Sequence, residues 1–369
     1  MNKSIRICHL TSVHRPDDIR IFHKMACGLA PDFDMHLVVP NGNTGQLNGV
    51  HVHSFKAETQ NRRIRMKQTV DRVLKEALAL KADLYHLHDP ELLRIVPALR
   101  QTGAKVVFDS HEDVPKQIMD KHWIPWVFRK SISLAYTWYE KRKARQLDGI
   151  ISVTPGICAR FETYHSAVCL VANFPLPSEF KEVDWSSKKP THFCYIGGLY
   201  ASRGIREVVM AMKYVNGTLH LAGSFDDPLL QAELESSSAW KKVVFHGHVD
   251  RQHIQQILAQ CSVGLVTLHP TPSYMEAYPI KLFEYMAGGC AVIASDFPLY
   301  RQLIENSQCA RFVDPENEAE IAHELNAFVN DPERCLTAAK AARSTFENAF
   351  NWDHEAAKLS AFYLQILRP

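Results

Sequence analysis

Short apolar runs alternate with longer amphipathic stretches along the whole chain. The apolar runs have the length of buried strands, and the stretches between them have the apolar spacing of helices. Strands and helices that alternate in this way form parallel sheets covered by crossover helices, so the sequence predicts a doubly wound α/β fold. The predicted strands are Ile5–Leu10, Met35–Val39, Val50–Phe55, Leu84–Leu87, Lys105–Phe108, Gly149–Val153, Val168–Val171, Thr191–Ile196, Thr218–Leu221, Val243–Phe245, Gly264–Thr267, Ala291–Ala294 and Arg311–Val313.

The length of the chain predicts two domains, because 369 residues exceed what one hydrophobic core normally organises. A proline-rich break at Asn173–Ser178 marks the boundary. We expect Rossmann-like domains over residues 1–172 and 173–352, and a last helix over 353–369 that could pack back on the first domain or on the second. Ligands of open α/β sheets bind beyond the carboxyl ends of the strands. The two domains are therefore expected to face each other across a cleft.

Composition argues against a membrane-spanning protein and against one held together by disulfides. No apolar run reaches the roughly 18 residues that span a bilayer, and the first residues lack the apolar stretch of a signal peptide. Nine cysteines are scattered singly, which favours reduced thiols in the cytoplasm over disulfides or a cysteine zinc site. Residues 1–172 carry 25 Lys and Arg against 17 Asp and Glu, and the remainder carries 17 against 23. Only the first half is thus expected to face an anionic partner.

Two glutamates, Glu276 and Glu284, lie eight positions apart on either side of Pro279. Proline suits the first helical position and disfavours helix just before it, so we expect a loop with Glu276 and a helix from about Pro279 that carries Glu284. A helix start offers free N–H groups to an anion, most often a phosphate. Carboxylates beside a phosphate site suit sugar hydroxyls, so the segment indicates a nucleotide-sugar site. The N–H groups concerned belong to Ile280, Lys281 and Leu282.

A paired-glycine loop, Gly197 and Gly198, follows the first predicted strand of the second half, and Arg203 precedes the next helix. Glycine lets backbone N–H groups approach a phosphate closely, and arginine can neutralise the phosphate with a planar pair of donors. The alternative is an ordinary turn between a strand and a helix. The loop lacks the G-x-G-x-x-G pattern, so a dinucleotide-binding site is not favoured.

Together these motifs resemble the family 4 retaining glycosyltransferases, whose GT-B fold consists of two Rossmann-like domains. Besides the spacing of the two glutamates, the matching segments are Lys281–Ser295, Gly197–Gly204, His86–Glu91 and Phe108–His111. The resemblance implies transfer of a sugar from a nucleotide diphosphate to an acceptor hydroxyl, with retention of configuration and without a metal ion or other cofactor.

The resemblance also implies roles for individual residues. Glu276 would bind hydroxyls of the donor sugar, Glu284 those of the ribose, and His111 would lie near the anomeric centre. Catalytic roles fall to His111, Glu276 and Arg203, and donor binding to Gly197, Gly198, Arg203, Glu276, Ile280, Lys281, Leu282 and Glu284. Members often have arginine where this chain has Gly198, and glycine where it has Pro279. Lys281 is the candidate for the missing phosphate cation, and Glu284 could alternatively be a solvated helix residue.

Acceptor contacts are expected from loops at strand ends of the first half. His14, Arg15 and Asp17 follow the first strand, whereas Asp18 could instead cap the next helix. The pair His88 and Asp89 follows another strand, where it could equally hold a loop in place.

Two acidic segments have the residue types of metal sites. His111 lies within Asp109–Asp113, a run of potential ligands, but the resemblance favours a histidine at the sugar site. Asp32 and Asp34 match the D-x-D pattern that chelates metal in another glycosyltransferase fold, but their place between a helix and a strand favours a solvated turn. We expect no metal at the reaction site.

Aromatic residues stand beside Lys and Arg in Lys121–Lys130 and Tyr136–Arg145, and Arg62–Lys67 adds a basic patch. Such a helix can lie on a membrane surface, or its aromatic stripe can face the core, and the sequence leaves both open. Nucleic acid is not expected as a partner because no recognised binding module is present.

The expected function is transfer of a hexose or N-acetylhexosamine from UDP to a lipid-diphosphate-linked glycan during bacterial O-antigen synthesis. The protein would work in the cytoplasm or on the cytoplasmic face of the inner membrane. One alternative is a non-hydrolysing UDP-sugar epimerase, which needs no acceptor. The other is a catalytically silent subunit that binds a nucleotide sugar.

Overall fold

The chain forms two compact α/β units in a computed structural model that describes residues 5–57, 65–120, 124–180 and 182–368. One unit consists of Met1–Asn173 together with Trp352–Pro369, and the other of Phe174–Asn351. Each unit contains its own parallel sheet, and the helices that cross from strand to strand supply apolar side chains to the core of that unit.

The first unit is built on an 8-stranded sheet in the order β3-β4-β2-β1-β5-β6-β7-β8. Its pairs are parallel except for β3 with β4. The strands are β1 (Arg6–Leu10), β2 (Asp34–Pro40), β3 (Gly45–Leu47), β4 (Val50–Phe55), β5 (Leu84–Leu87), β6 (Lys105–Ser110), β7 (Gly149–Ser152) and β8 (Val168–Leu170). The helices are Ile19–Ala26 and Arg65–Thr69, both π-helical, Pro90–Arg94, which is 3-10, and the α-helices Cys27–Leu29, Val70–Leu80, Val96–Arg100, Val114–Asp120, Trp126–Ala144, Pro155–Glu162 and Trp352–Leu367.

The second unit has a 6-stranded parallel sheet in the order β11-β10-β9-β12-β13-β14. The strands are β9 (Lys189–Ile196), β10 (Thr218–Ala222), β11 (Val243–Gly247), β12 (Cys261–Val266), β13 (Ala291–Ser295) and β14 (Ala310–Val313). Its α-helices are Ile205–Ala211, Pro228–Ser236, Arg251–Gln260, Pro272–Met275, Ile280–Ala287, Pro298–Ile304, Glu318–Asn330 and Pro332–Ala349. Short 3-10 turns are Pro177–Glu179, Trp185–Ser187, Ala201–Arg203, Met212–Tyr214, Ser238–Lys242 and Glu305–Ser307.

The last helix of the chain, Trp352–Leu367, belongs to the first unit. Trp352 is fully buried there, and its indole N–H donates to the carbonyl of Lys24 at 3.0 Å. One turn later Glu355 accepts a hydrogen bond from the N–H of Ala172 at 2.8 Å. These buried polar contacts fix the helix against the start of the chain, because an unpaired donor or acceptor in the core would cost free energy.

Every strand predicted from the sequence is present, and the α/β fold class is confirmed. Strand β3 was not predicted, because its three residues are all exposed and carry no apolar signal. The helix expected from Pro279 begins one residue later: Pro279 has extended backbone angles and is the N-cap of Ile280–Ala287. The expectation of a solvated turn was wrong for Asp34, which is the first residue of β2 and accepts a hydrogen bond from Arg6 Nε at 2.8 Å.

Candidate functional site

The predicted donor residues gather where the strand order of the second unit reverses. Within the sheet, β10 lies next to β9 on one side, and β12 lies next to β9 on the other. A crevice opens at such a reversal, beyond the carboxyl ends of the strands, and it is the usual ligand site of open α/β sheets. The loop Gly197–Gly204 follows β9, and Glu276 and Glu284 follow β12. Topology therefore brings both predicted motifs to the same edge of one sheet.

Glycine is required at Gly197, which follows β9, and at Gly223, which follows the neighbouring strand β10. Gly197 has a φ of 146°, a backbone conformation that other residues rarely adopt. A Cβ added at Gly223 would lie 1.7 Å from the carbonyl oxygen of Gly197, so only glycine allows the two backbones to approach. The N–H groups of Gly197 and Leu199 donate to the carbonyls of Ala222 and Ser224 at 2.9 and 3.0 Å. The N–H of Gly197 is therefore already hydrogen bonded within the protein, and a donor-binding role of Gly197 stays a prediction.

The ring of Tyr200 lies over Gly198. A Cβ added at Gly198 would lie 2.6 Å from Cζ of Tyr200, so the ring fills the space that a side chain would need. The Arg203 guanidinium in turn lies 4.8 Å from the centre of the Tyr200 ring, at a cation–π distance. An arginine at position 198 and the observed ring of Tyr200 exclude each other.

Arg203 has one donor that the described residues leave without a hydrogen bond. Its Nε is buried and has no hydrogen-bond partner among the described residues. Burial alone would lower the pKa of Arg203, but a hydrogen bond with Tyr274 and the neighbouring tyrosines raise it above the usual range. Thr267 Oγ1 donates to the carbonyl of Arg203 at 3.3 Å and so braces this turn against the end of β12. A buried charged donor without a partner is costly, and an anion would relieve that cost.

The helix Ile280–Ala287 is held against the sheet by Tyr285. The phenol oxygen of Tyr285 accepts a hydrogen bond from the N–H of Ile196, the last residue of β9, at 2.8 Å. Its ring can lie so close because β12 has Gly264 there, where a Cβ would be 2.3 Å from the ring. The helix start is thus fixed relative to the Gly197 loop. The N–H of Leu282 was predicted to be free for a phosphate, and this was wrong, because it donates to the carbonyl of Pro279 at 2.9 Å.

Glu284 is buried between two cations. Its Oε2 lies 2.7 Å from Nζ of Lys281, and its Oε1 lies 2.6 Å from Nη1 of Arg251. Burial raises the pKa of the Glu284 carboxyl, but the two positive charges outweigh burial and hold the pKa below its usual value. The alternative of a solvated Glu284 is excluded, since its side chain is only 6% exposed. Sequence reasoning missed Arg251, which also pairs with Glu179 and stands in no recognisable motif.

Lys281 and Arg203 flank the same glycine. A Cβ added at Gly197 would lie 3.4 Å from Nη1 of Arg203 and 3.5 Å from Cε of Lys281. Two positive side chains thus meet at the loop after β9, although position 198 supplies none. Glu276 follows the short helix Pro272–Met275 and is exposed to solvent. Its side chain is therefore accessible to a ligand.

A separate cavity of about 560 Å³ opens in the first unit. Three of the residues predicted from the sequence line it: His14 after β1, Asp89 after β5 and His111 after β6. The rings of His14 and His111 lie 5.3 Å apart. Because β1 and β5 are neighbours at the strand-order reversal of this sheet, the cavity lies at the expected ligand edge. Much of its remaining wall is apolar, including Ile118, Ile124, Ile132, Tyr136 and Tyr139.

Asp89 organises the loop that carries His14. One carboxylate oxygen accepts hydrogen bonds from Thr11 Oγ1 and from the N–H of Ser12, and the other lies 2.9 Å from Nδ1 of His14. Burial raises the pKa of Asp89, but the bond to His14 and the other donors lower it below its usual value. Burial lowers the pKa of His14, but Asp89 raises it above 6.5. A charged His14 beside an ionised Asp89 is therefore favoured.

Three other predicted acceptor residues stand apart from the cavity wall. Arg15 and Asp17 are exposed and pair with each other at 3.0 Å. His88 is fully buried, and its Nδ1 lies 3.3 Å from Asp109 while its Nε2 meets His9 at 2.9 Å. Burial lowers the pKa of His88 to about 3, so it is neutral. The expectation of an acceptor contact for His88 was wrong, because both ring nitrogens already have partners in the core.

The helix Trp126–Ala144 exposes several large apolar side chains. Trp126, Phe128 and Trp138 are 78%, 57% and 65% exposed. The interpretation of a core-facing aromatic stripe is therefore wrong for these rings, although Tyr136 and Tyr139 line the cavity. No helix within the described ranges is long and apolar enough to cross a membrane. Residues 121–123 and the first half of the predicted basic patch Arg62–Lys67, residues 62–64, lie outside the described residues.

Among the described residues, the donor motifs contain no group of three potential metal ligands close enough to share an ion. In the part of the chain that the structure describes, the groups of His, Cys, Asp and Glu close enough to share an ion lie in the first unit. One group is the buried trio His9, His86 and His88, and the other is Asp34, His36 and His51.

Comparison with known proteins identifies relatives of both halves. Residues 178–345 match the family model of glycosyl transferases group 1, and residues 20–169 match the glycosyl transferase 4-like domain. Glycogen synthase of Mycobacterium tuberculosis is 22% identical over 185 residues, which is 48% of this chain and 44% of that protein. An uncharacterised glycosyltransferase of Methanocaldococcus jannaschii is 24% identical over 230 residues, 58% of this chain and 57% of that protein. The chain thus spans about half the length of these curated relatives.

Solved structures share the fold over almost the whole chain. Sucrose-phosphate synthase from Thermosynechococcus elongatus superimposes with a TM-score of 0.75 at 17% identity, covering 98% of this chain and 99% of that one. Anabaena HepE in complex with UDP superimposes with a TM-score of 0.72 at 14% identity, covering 98% and 100%. The two α/β units therefore have the GT-B fold.

Proposed function

Because this chain belongs to the family 4 glycosyltransferases with the GT-B fold, we propose that it transfers a sugar from a nucleotide diphosphate donor with retention of configuration. We infer UDP as the nucleotide and a hexose or N-acetylhexosamine as the sugar. Support for UDP comes from HepE, which shares the fold and has been solved with UDP and with UDP-glucose.

The observation that carries this proposal is the pair of cations beside Gly197. Arg203 and Lys281 reach the same point of the loop, and Arg203 keeps a buried Nε without a protein partner among the described residues. A diphosphate carries at least two negative charges, which one planar arginine and one lysine can share. Their charges would stabilise the diphosphate as it leaves, and that is electrostatic catalysis aimed at charge that develops when the bond breaks.

The carboxylates of Glu284 and Glu276 suit the ribose and the sugar of the donor. Glu284 is held ionised beside Lys281, so it can accept hydrogen bonds from ribose hydroxyls. Glu276 is exposed and would bind hydroxyls of the donor sugar. The role of His111 near the anomeric centre stays a prediction, as does the independence of the reaction from metal ions, which transfer in the presence of a chelator would test.

We infer a lipid-diphosphate-linked glycan as the acceptor and the cytoplasmic face of the inner membrane as the place of reaction, as in O-antigen synthesis. The cavity with His14 and His111 shares the helix Trp126–Ala144 with the exposed rings of Trp126 and Trp138. Lys141, Arg142 and Lys143 lie in the last turn of that helix. Exposed aromatic rings beside basic residues are typical of a helix that lies on an anionic membrane.

A flotation assay with anionic vesicles tests the membrane inference. The double substitution Trp126→Ser with Trp138→Ser should release the protein from the vesicles. Leu229→Ser is the matched control, because Leu229 is also exposed, at 80%, but lies in the second unit. Equal binding of both variants, or no binding of the unmodified protein, would refute the inference.

Protection against thermal unfolding by a panel of nucleotide sugars tests the donor. A ligand at one hundred times its Kd stabilises a protein by about 2.7 kcal/mol, so UDP-sugars should raise the unfolding temperature clearly. Arg203→Ala should lose most of this protection. Arg206→Ala is the matched control, because Arg206 is three residues further on and pairs with Glu233. Protection that is undiminished in Arg203→Ala would show that the donor binds elsewhere.

A further inference from the structure

One cluster of the first unit takes no part in the proposed reaction. It consists of Asp34 and His36 on β2 and His51 on β4. His36 pairs directly with His51 across the two parallel strands. Asp34 precedes His36 by two residues, and side chains two apart in a strand point to the same face of the sheet. Three potential ligands therefore share one face.

We propose that Asp34, His36 and His51 form a binding site for a divalent transition-metal ion of the Zn²⁺ class. Asp34 Oδ1 lies 3.1 Å from Nε2 of His36 and 3.8 Å from Nε2 of His51. The three ligand atoms all lie within 4.8 Å of one another. Bonds of about 2.0–2.1 Å around a tetrahedral zinc ion put neighbouring ligands about 3.3 Å apart. Small side-chain rotations reach that spacing.

Outside the cluster, the hydrogen-bond partners of Asp34 and His36 contact the atoms that would not bind the ion. Arg6 Nε donates to the other carboxylate oxygen of Asp34, Oδ2, at 2.8 Å, so Oδ1 points to the histidines. The other ring nitrogen of His36, Nδ1, lies 2.8 Å from Nε2 of His53. A metal-bound histidine commonly has its second nitrogen held in this way, and the contact fixes the ring orientation. His51 lies on the solvent-exposed side of the site, and its side chain is 44% exposed.

The charges and ligand atoms of the site favour a transition-metal ion over Mg²⁺ or Ca²⁺. The single carboxylate of Asp34 is offset by Arg6, so the site offers little to Mg²⁺ or Ca²⁺, which prefer several oxygen ligands. Imidazole nitrogens suit zinc, nickel and copper ions. Asp34 begins β2, so the site lies toward the amino ends of the strands. The candidate acceptor residues follow the carboxyl ends, and a bound ion would join β2 to β4 without reaching that edge.

Calorimetric titration of the tag-free, chelator-treated full chain with Zn²⁺ tests the proposal. We expect one ion per chain for the unmodified protein and no binding of Mg²⁺. His51→Ala and Asp34→Asn should each weaken Zn²⁺ binding at least tenfold, and His53→Ala should weaken it by about 10- to 100-fold because it removes an orienting partner. Co²⁺ should give the visible absorption of a nitrogen- and oxygen-bound ion, and His51→Ala should abolish it.

His246→Ala is the matched control. His246 lies on β11, an edge strand of the second unit, and its ring partners described in the structure are His220 and His253. It should bind Zn²⁺ like the unmodified protein. Thermal unfolding without metal shows whether each variant is folded, and His51→Ala, which changes a half-exposed side chain, should keep the unfolding temperature. Undiminished Zn²⁺ binding in His51→Ala, or no binding by the unmodified chain, would overturn the proposal.

Discussion

Replacing Lys281 with alanine separates two roles that the structure allows for this residue. Its Nζ lies 2.7 Å from Glu284, whereas its Cε lies beside Gly197, next to Arg203. Lys281 can therefore contact a diphosphate, or it can support Glu284, the carboxylate proposed to bind the ribose. Removing a diphosphate contact would weaken the binding of the phosphates. Removing the support of Glu284 would weaken the binding of the nucleoside.

The expected loss can be estimated from the geometry. A hydrogen bond between charged groups contributes about 1.5–3 kcal/mol, which corresponds to roughly 10- to 150-fold in affinity. The Lys281 side chain is 32% exposed, so solvent screening favours the lower end, about tenfold. Glu284 keeps Arg251 as a partner at 2.6 Å, so the stability of the fold should fall by only about 1 kcal/mol.

Calorimetric titration with UDP and with uridine distinguishes the roles. If Lys281 binds the diphosphate, Lys281→Ala should weaken UDP about tenfold and leave the weak binding of uridine nearly unchanged. Lys281→Arg should recover part of the UDP affinity because the charge is restored. An equal loss for UDP and uridine would refute the phosphate role and would leave Lys281 as the support of Glu284 alone.

Two further predictions concern buried charges. Arg251→Ala should destabilise the protein by about 1–2 kcal/mol in thermal unfolding, less than the cost of isolating a buried carboxylate, because Lys281 remains beside Glu284; a neutral effect would contradict the charge arrangement. Because the pKa of His14 is raised in the fold, its pairing with Asp89 should stabilise the protein fully below about pH 6.5 and lose that effect as the pH rises through the raised pKa. The difference in unfolding temperature between the unmodified protein and His14→Gln should therefore shrink as the pH rises above about 6.5, and a constant difference would be inconsistent with a charged His14.

The strands were predictable from sequence because parallel strands buried on both faces are continuous apolar runs. The short strand Gly45–Leu47 was not, because its exposed residues carry no such signal. The prediction that a helix begins near Pro279 was correct. Sequence rules do not place a helix start to within one residue, so they did not distinguish the N-cap from the first helical position.

The site was predictable only where one segment carries the signal. Spacing along the chain indicated Glu276 and Glu284 as candidates, but not Arg251, which contacts Glu284 from a helix 33 positions away. The same limit applies to position 198, where the ring of Tyr200 fills the space of the expected arginine. For His88 the chain shows a polar residue after a strand, and only the packed structure shows that it faces the core.

Release of UDP from a UDP-sugar, measured with and without a lipid-linked glycan acceptor, tests whether this protein transfers a sugar to such an acceptor. We expect release that depends on the acceptor, with the labelled sugar recovered in the lipid fraction. Glu276→Ala should abolish both while its unfolding temperature stays unchanged. Conversion of the UDP-sugar without any acceptor would instead indicate an epimerase, and full transfer by Glu276→Ala would contradict the proposed donor site.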